Sequence, residues 1–220
     1  MGTVWRAKQL ATKREVALKL MSGSQIGSDK DIHRFEREVE LAAALEHPYI
    51  ARVYDSGVHR GVYFYAMEYI DGKPLDVYVE ENKLPRKEIL KLILMVCEAV
   101  QHAHQNAIIH RDLKPSNVMV TADGVPHVLD FGLAKLTGGG DPAVSMSMDG
   151  ELVGTPIYMS PEQAAGTVKN LNTGTDVYSL GVLLYELILG VFPHSITGGH
   201  WEIMRRARDE EPSRPRSISR

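Results

Sequence analysis

Between Thr173 and Leu189 the chain runs through Val177, Leu180, Val182, Leu183, Leu184, Leu187 and Ile188, apolar nearly all the way round a helix. A helix hydrophobic on every face has to be covered on every side. Any fold for this sequence must therefore enclose that segment. The apolar stretch from Val177 to Phe192 carries Glu186 and is shorter than the roughly 20 residues that cross a bilayer. It reads as a core helix. At 220 residues the chain is long enough for one or two cores.

A second helix is predicted from Pro85 to Gln105, with Ile89, Leu92, Ile93, Val96 and Val100 on one face. Upstream the period changes. Val4 to Gln9 and Glu15 to Met21 read as strands around the turn at Ala11-Thr12-Lys13-Arg14, with Val16, Leu18 and Leu20 alternating in the second. Helical spacing returns from Asp31 to Leu45 through Phe35 and Val39, and two more strands follow at Ala51 to Ser56 and Val62 to Tyr69. Asp71-Gly72-Lys73-Pro74 reads as a turn and a hinge between a β-rich and a helical part. Leu136 to Leu152, rich in Gly, Ser and Met, reads as a mobile loop, Gly199 to Arg208 as a last helix and Glu210 to Arg220 as an irregular tail.

Net charge is −3, which implies no bulk attraction to nucleic acid or membrane. The single cysteine, Cys97, sits within an apolar helical pattern and reads as a small core hydrophobe. Met1 leads straight into a strand-like run with no signal-peptide pattern.

The chemistry is concentrated in His110-Arg111-Asp112-Leu113-Lys114-Pro115-Ser116-Asn117 and in Asp130-Phe131-Gly132. Phosphoryl transfer needs such a set: a carboxylate to orient a hydroxyl, a cation on the moving phosphate and two oxygen ligands for magnesium. His102, His104 and His110 match no common zinc spacing.

These two motifs, in this order, resemble the signature of protein kinases; the Lys114-Pro115-Ser116-Asn117 wording resembles the Ser/Thr class, and the chain's local wording its bacterial members. The resemblance implies an α+β, two-lobed fold: a small antiparallel β-sheet lobe with one helix over residues 1–70 and a mainly helical lobe over 71–220. It implies ATP and Mg²⁺ as cofactors. Asp112 becomes the general base, Lys114 the cation on the γ-phosphate, and Asn117 and Asp130 the metal ligands. Lys19, in Val16-Ala17-Leu18-Lys19, corresponds to the lysine that meets the α- and β-phosphates, and Glu38 to the helical glutamate that holds it. Gly154 to Gln163 resembles the substrate-receiving segment, with Thr155 contacting Asp112 and Lys114. Met67 resembles the gatekeeper, Glu68, Tyr69 and Ile70 offer backbone groups to adenine, and Val4, Ala17 and Met119 enclose its ring. Asp176 resembles the aspartate that anchors the catalytic loop, while His110 and Phe131 pack internally.

The same resemblance implies protein substrates with Ser/Thr acceptors, no nucleic-acid partner, no membrane span in this chain, and dimerisation for autophosphorylation. Location is expected to be cytoplasmic, with any membrane anchor elsewhere in a longer protein. Thr137, Ser145 and Ser147 are the available phosphate acceptors, and autophosphorylation at Ser145 or Ser147 is expected to order the loop against Arg111 and Lys135. Of the family's three loop glycines only Gly2 matches, so the first strand is expected to be missing and the Val4 to Gln9 strand to lie at an edge. The last helices are likewise expected to be missing. Glu162 would then lack an arginine partner, at a cost of ~3 kcal/mol, and the Val177 to Leu189 helix would show an uncovered face. The alternative reading is a catalytically impaired kinase-like fragment or binding module. A small-molecule phosphotransferase on a related fold fits the Gly154 to Gln163 wording less well.

Overall fold

The structure is a computed structural model that describes residues 3–21, 29–131, 156–166 and 171–218. Its N-terminal part is an antiparallel sheet of β1 (Thr3–Lys8), β2 (Glu15–Leu20), β3 (Val53–His59) and β4 (Val62–Glu68), in the order β1-β2-β4-β3. On β4 the two-residue period of a strand places Tyr63, Tyr65 and Met67 on one face, and all three are buried. Across that face lies α1 (Asp29–Ala43), whose Phe35, Val39 and Ala42 recur at helical spacing and join the same core. The Phe35 and Tyr63 rings sit 4.7 Å apart. β1 forms one edge of the sheet and leaves Val4 and Trp5 exposed.

A second core joins α3 (Arg86–Gln105), α5 (Thr173–Leu189) and a small sheet of β5 (Gly72–Pro74), β6 (Val118–Thr121) and β7 (Pro126–Val128). The apolar face expected of α3 is the one it buries, from Ile89 to Val100. The two parts meet where Ile50 bridges Val128, with Ala51 N–H donating to Val128 O at 3.0 Å and Val128 N–H to Tyr49 O at 2.8 Å. Short helices α2 (Leu75–Glu81) and α4 (Pro161–Ala164), with α6 (His200–Asp209), complete the helical part. Among the described residues no helix is long and apolar enough to cross a membrane.

Two expectations need correction. Gly72–Pro74 is not a free turn: it pairs with Met119–Thr121 as an edge strand. Gly72 permits this, because a Cβ there would stand 2.5 Å from Val120 O. Nor is α5 covered on every side; of the two expectations for it, the uncovered face is the one seen. Val182 and Leu183 are buried, but Val177 is 61% exposed. The inward face of its first turns is instead polar, formed by the buried Thr175, Asp176 and Ser179. Val177, between them, is thereby turned outward, while Tyr178 packs against the core.

Candidate active site

Asp176 is the pivot of the site. It lies in the first turn of α5, wholly buried, where the partial positive charge of a helix N-terminus favours a carboxylate. Its Oδ2 accepts from His110 N–H at 2.8 Å and its Oδ1 from Arg111 N–H at 2.8 Å. His104 Nε2, from the last turn of α3, meets Oδ2 at 2.7 Å. The end of α3 and the loop that follows it are thus fixed on one carboxylate 65 to 72 positions away. Arg111 takes up a φ of 69°, in the left-handed region that disfavours a side chain. Two anchored N–H groups, on Arg111 and its predecessor, hold it there.

His110 is buried and uses both ring nitrogens: Nδ1 accepts from Asp112 N–H at 3.2 Å, and Nε2 donates to Leu129 O at 2.8 Å. Its ring stands edge-on to Phe131 at 4.8 Å. His110 and Phe131 therefore hold the Asp112 loop and the Asp130 segment in register, as their internal packing implied. Leu129 N–H reinforces this by donating to the Asn117 backbone carbonyl at 2.9 Å.

In the Asp112 loop, Lys114 Nζ donates to Asp112 Oδ2 at 2.7 Å. Asn117 Nδ2 donates both to Asp112 O at 2.7 Å and to Asp112 Oδ2 at 3.0 Å. Only an NH₂ group can serve two acceptors in this way, so Asn117 Oδ1 faces away from Asp112. The Asp112 side chain is 41% exposed. Among the described residues no hydrogen bond occupies its Oδ1.

Asp130, also in the left-handed region with φ 61°, receives a donor on each oxygen. Lys19 Nζ from β2 pairs with Oδ2, and Tyr65 Oη from β4 donates to Oδ1 at 2.5 Å. Lys19 and Tyr65 face each other directly in the β2–β4 register. Burial first, then the Asp130 charge and hydrogen bond, hold the Tyr65 phenol far above its ordinary pKa, so it is a neutral donor. The anion that Lys19 meets is the Asp130 carboxylate. Glu38 is half-buried on α1.

Ala17 and Met67 are adjacent partners in the β2–β4 register and both are buried, whereas Val4 is 51% exposed on β1. Glu68 N–H is committed to Arg52 O at 2.8 Å, so it is not free for a ligand. Ile70 follows the end of β4, and Met119 lies on β6 paired with Pro74 and His127. Thr155, Gly132, Lys135, Thr137, Ser145 and Ser147 lie outside the described residues. No cluster of three or more His, Cys, Asp or Glu side chains suited to a metal occurs among the described residues.

Glu162 is not left without a partner. Thr175 Oγ1 donates to its Oε1 at 2.7 Å. Burial pushes its carboxyl up, but the bonds from Thr175, its own backbone N–H and Ser160 outweigh this and hold it below the usual range. Sequence reasoning missed Tyr65, His104 and Gln163, whose Nε2 donates to Arg111 O at 2.7 Å. For Tyr65 the signal was present: alternation on β4 puts a phenol on the buried face, and a buried hydroxyl needs an acceptor.

Residues 1–219 match the family model described as Protein kinase domain. The serine/threonine-protein kinase PrkC of Bacillus subtilis is 34% identical over 98% of this chain and 33% of its own length. PknB of Mycobacterium tuberculosis, also a serine/threonine-protein kinase, is 38% identical over 88% of this chain and 31% of its own length. The chain therefore spans about a third of the length of these curated relatives. The crystal structure of the PknI kinase domain from Mycobacterium tuberculosis superposes with a TM-score of 0.69 at 30% identity, covering 89% of this chain and 72% of that one.

Proposed function

Because the chain belongs to the protein kinase domain family, we propose that it transfers the γ-phosphoryl group of ATP to Ser or Thr hydroxyls of protein substrates. The observation that carries this reading is the convergence of Lys114 and Asn117 on one oxygen of Asp112, in a loop hung from Asp176. The other Asp112 oxygen, without a hydrogen bond among the described residues, is assigned to an acceptor hydroxyl. Asp112 takes the role of orienting that hydroxyl and accepting its proton. Lys114, 15% exposed, holds Asp112 in place and offers its charge to the transferring group.

The donors present fit a magnesium ion. Asp130 brings a carboxylate and Asn117 an amide oxygen turned away from Asp112, both hard ligands. Their backbones are tied together through Leu129. When bound, the ion would neutralise charge on those phosphates. Lys19 bridges from the sheet to Asp130, and we assign it to the α- and β-phosphates with Glu38 as its support. Val4, Ala17, Met67, Met119, the backbone carbonyl of Glu68 and backbone at Ile70 are assigned to adenine, and Thr155 to contact with Asp112. The division between the lobes is placed after Ile70, which the end of β4 at Glu68 and the start of β5 at Gly72 support. We place the reaction in the cytoplasm, where ATP is available, with two copies of the chain meeting for autophosphorylation.

The test is transfer of label from ATP with Mg²⁺ to a basic protein, compared between the wild-type chain and Asp112→Asn. A loss of about 10²-fold or more is expected on removing the proton acceptor, with nucleotide binding kept. Equal transfer by the variant would overturn the assignment. Nucleotide binding with no transfer by either chain would favour a binding module.

A further inference from the structure

Tyr65 is a buried polar group to which the phosphoryl-transfer scheme gives no role. It is 0% exposed, on a strand flanked on both sides by β2 and β3. Its ring belongs to the core that α1 closes with Phe35, Val39 and Ala42. A phenol so placed cannot follow a moving partner. Its hydroxyl is nevertheless engaged, with Asp130 Oδ1 at 2.5 Å and 65 positions away in sequence.

The two oxygens of Asp130 are thus held by donors of different kinds. Oδ2 pairs with Lys19, whose four-carbon stem lets its ammonium swing between partners. Oδ1 is held by a hydroxyl fixed in the core. The Asp130 backbone sits at φ 61°, a conformation unfavourable for a non-glycine residue that persists only when its surroundings enforce it. The Tyr65 bond is one such constraint, because it fixes which way the carboxylate points.

We infer that Tyr65 is a positioning residue that orients the Asp130 carboxylate for the divalent ion bound with the nucleotide. The inference rests on the kinase reading above. Phenylalanine at this position keeps the ring and its packing and removes only the donor. Ligating carboxylates and histidines that lose an outer hydrogen bond typically lose about 10–100-fold in metal affinity.

The experiment measures binding of a fluorescent ADP analogue to the full chain as Mg²⁺ is titrated, for wild type and Tyr65→Phe. A tenfold or greater rise in half-saturating Mg²⁺ is expected, with metal-free nucleotide affinity unchanged. An equal or lower half-saturating concentration in the variant overturns the role of Tyr65. Wild-type binding that ignores Mg²⁺ overturns the kinase reading and the inference with it. A second measurement needs no folded variant: with fluorotyrosine incorporated, the ¹⁹F resonance of Tyr65 should shift on adding Mg²⁺ to the ADP complex. A resonance that stays still under Mg²⁺ overturns the inference.

Discussion

Gln163 Nε2 donates to the Arg111 carbonyl at 2.7 Å, while Gln163 Oε1 accepts from Ser160 N–H at 3.0 Å. One side-chain amide thereby joins the capping box of α4 to the residue preceding Asp112. Arg111 is held from both faces, by Asp176 on its N–H and Gln163 on its C=O. Gln163→Ala removes two neutral hydrogen bonds and should cost about 2 kcal/mol of stability. Gln163→Glu sets a carboxylate against the Arg111 carbonyl and should do more harm. Urea unfolding orders the three proteins. Under the proposed function, kcat should fall in the same order while nucleotide affinity stays constant. A Gln163→Glu chain as stable as wild type would refute the coupling.

The residues that do chemistry within one loop were legible because the chain places them together. Asp112, Lys114 and Asn117 meet within six residues of sequence, and the register of β2 and β4 then decides what lies beside Lys19. The long strands and helices were legible from their periods, since α3 and β4 bury the faces that their spacing predicts. Tyr65 and His104 were hidden, for each acts on a carboxylate 65 or 72 positions away. Periodicity says that such a group is buried without saying what it faces. The Gly72–Pro74 strand was missed for the same reason: Gly and Pro mark a turn locally, and only the approach of Val120 makes that segment a strand.

Asp176 supplies the second prediction. It accepts from His104, His110 N–H and Arg111 N–H with no exposure to solvent. Asp176→Ala strands two backbone donors in the interior, and the loss should be about 3 kcal/mol or more. Asp176→Asn should lose less, since its amide oxygen still accepts one bond while its NH₂ opposes the other donor. Chemical denaturation of both variants, with unchanged m-values, measures the difference. An alanine variant within about 0.5 kcal/mol of wild type, the range of an ordinary surface change, would show that the loop holds itself.

Gly72 tests the small sheet. An added Cβ would stand 2.5 Å from Val120 O and 2.8 Å from Val120 C, both backbone atoms within β6. No side chain can rotate away to relieve that contact, so Gly72→Ala must part β5 from β6. Overpacking of this kind costs about 1–3 kcal/mol. The midpoint of urea unfolding should fall accordingly, and amides of Val120 and Thr121 should lose hydrogen-exchange protection before those of β2 or β4. Wild-type protection at Val120 in the variant would contradict the close approach.

Glu186 gives the pH dependence. It lies in the apolar helix α5 and accepts from Tyr158 Oη at 2.7 Å. Burial raises its carboxyl above the ordinary value of 4.5; the Tyr158 bond opposes the shift and the nearby Asp76 charge adds to it. Among the described residues no hydrogen bond reaches the buried Oδ1 of Asp76 itself. A group whose folded pKa is raised binds protons more readily in the folded chain. Its stabilising contribution is complete below the unfolded value and is lost as pH rises through the folded one. Glu186→Gln is neutral at every pH and still offers an amide oxygen to Tyr158. The variant should match wild type near pH 4, gain on it as pH rises above 4.5, and keep a constant advantage once the wild-type carboxyl is ionised. Thermal melts of both chains across pH 4 to 8 measure this, and a difference that does not change with pH would show that the ionised carboxylate is not disfavoured in the folded chain.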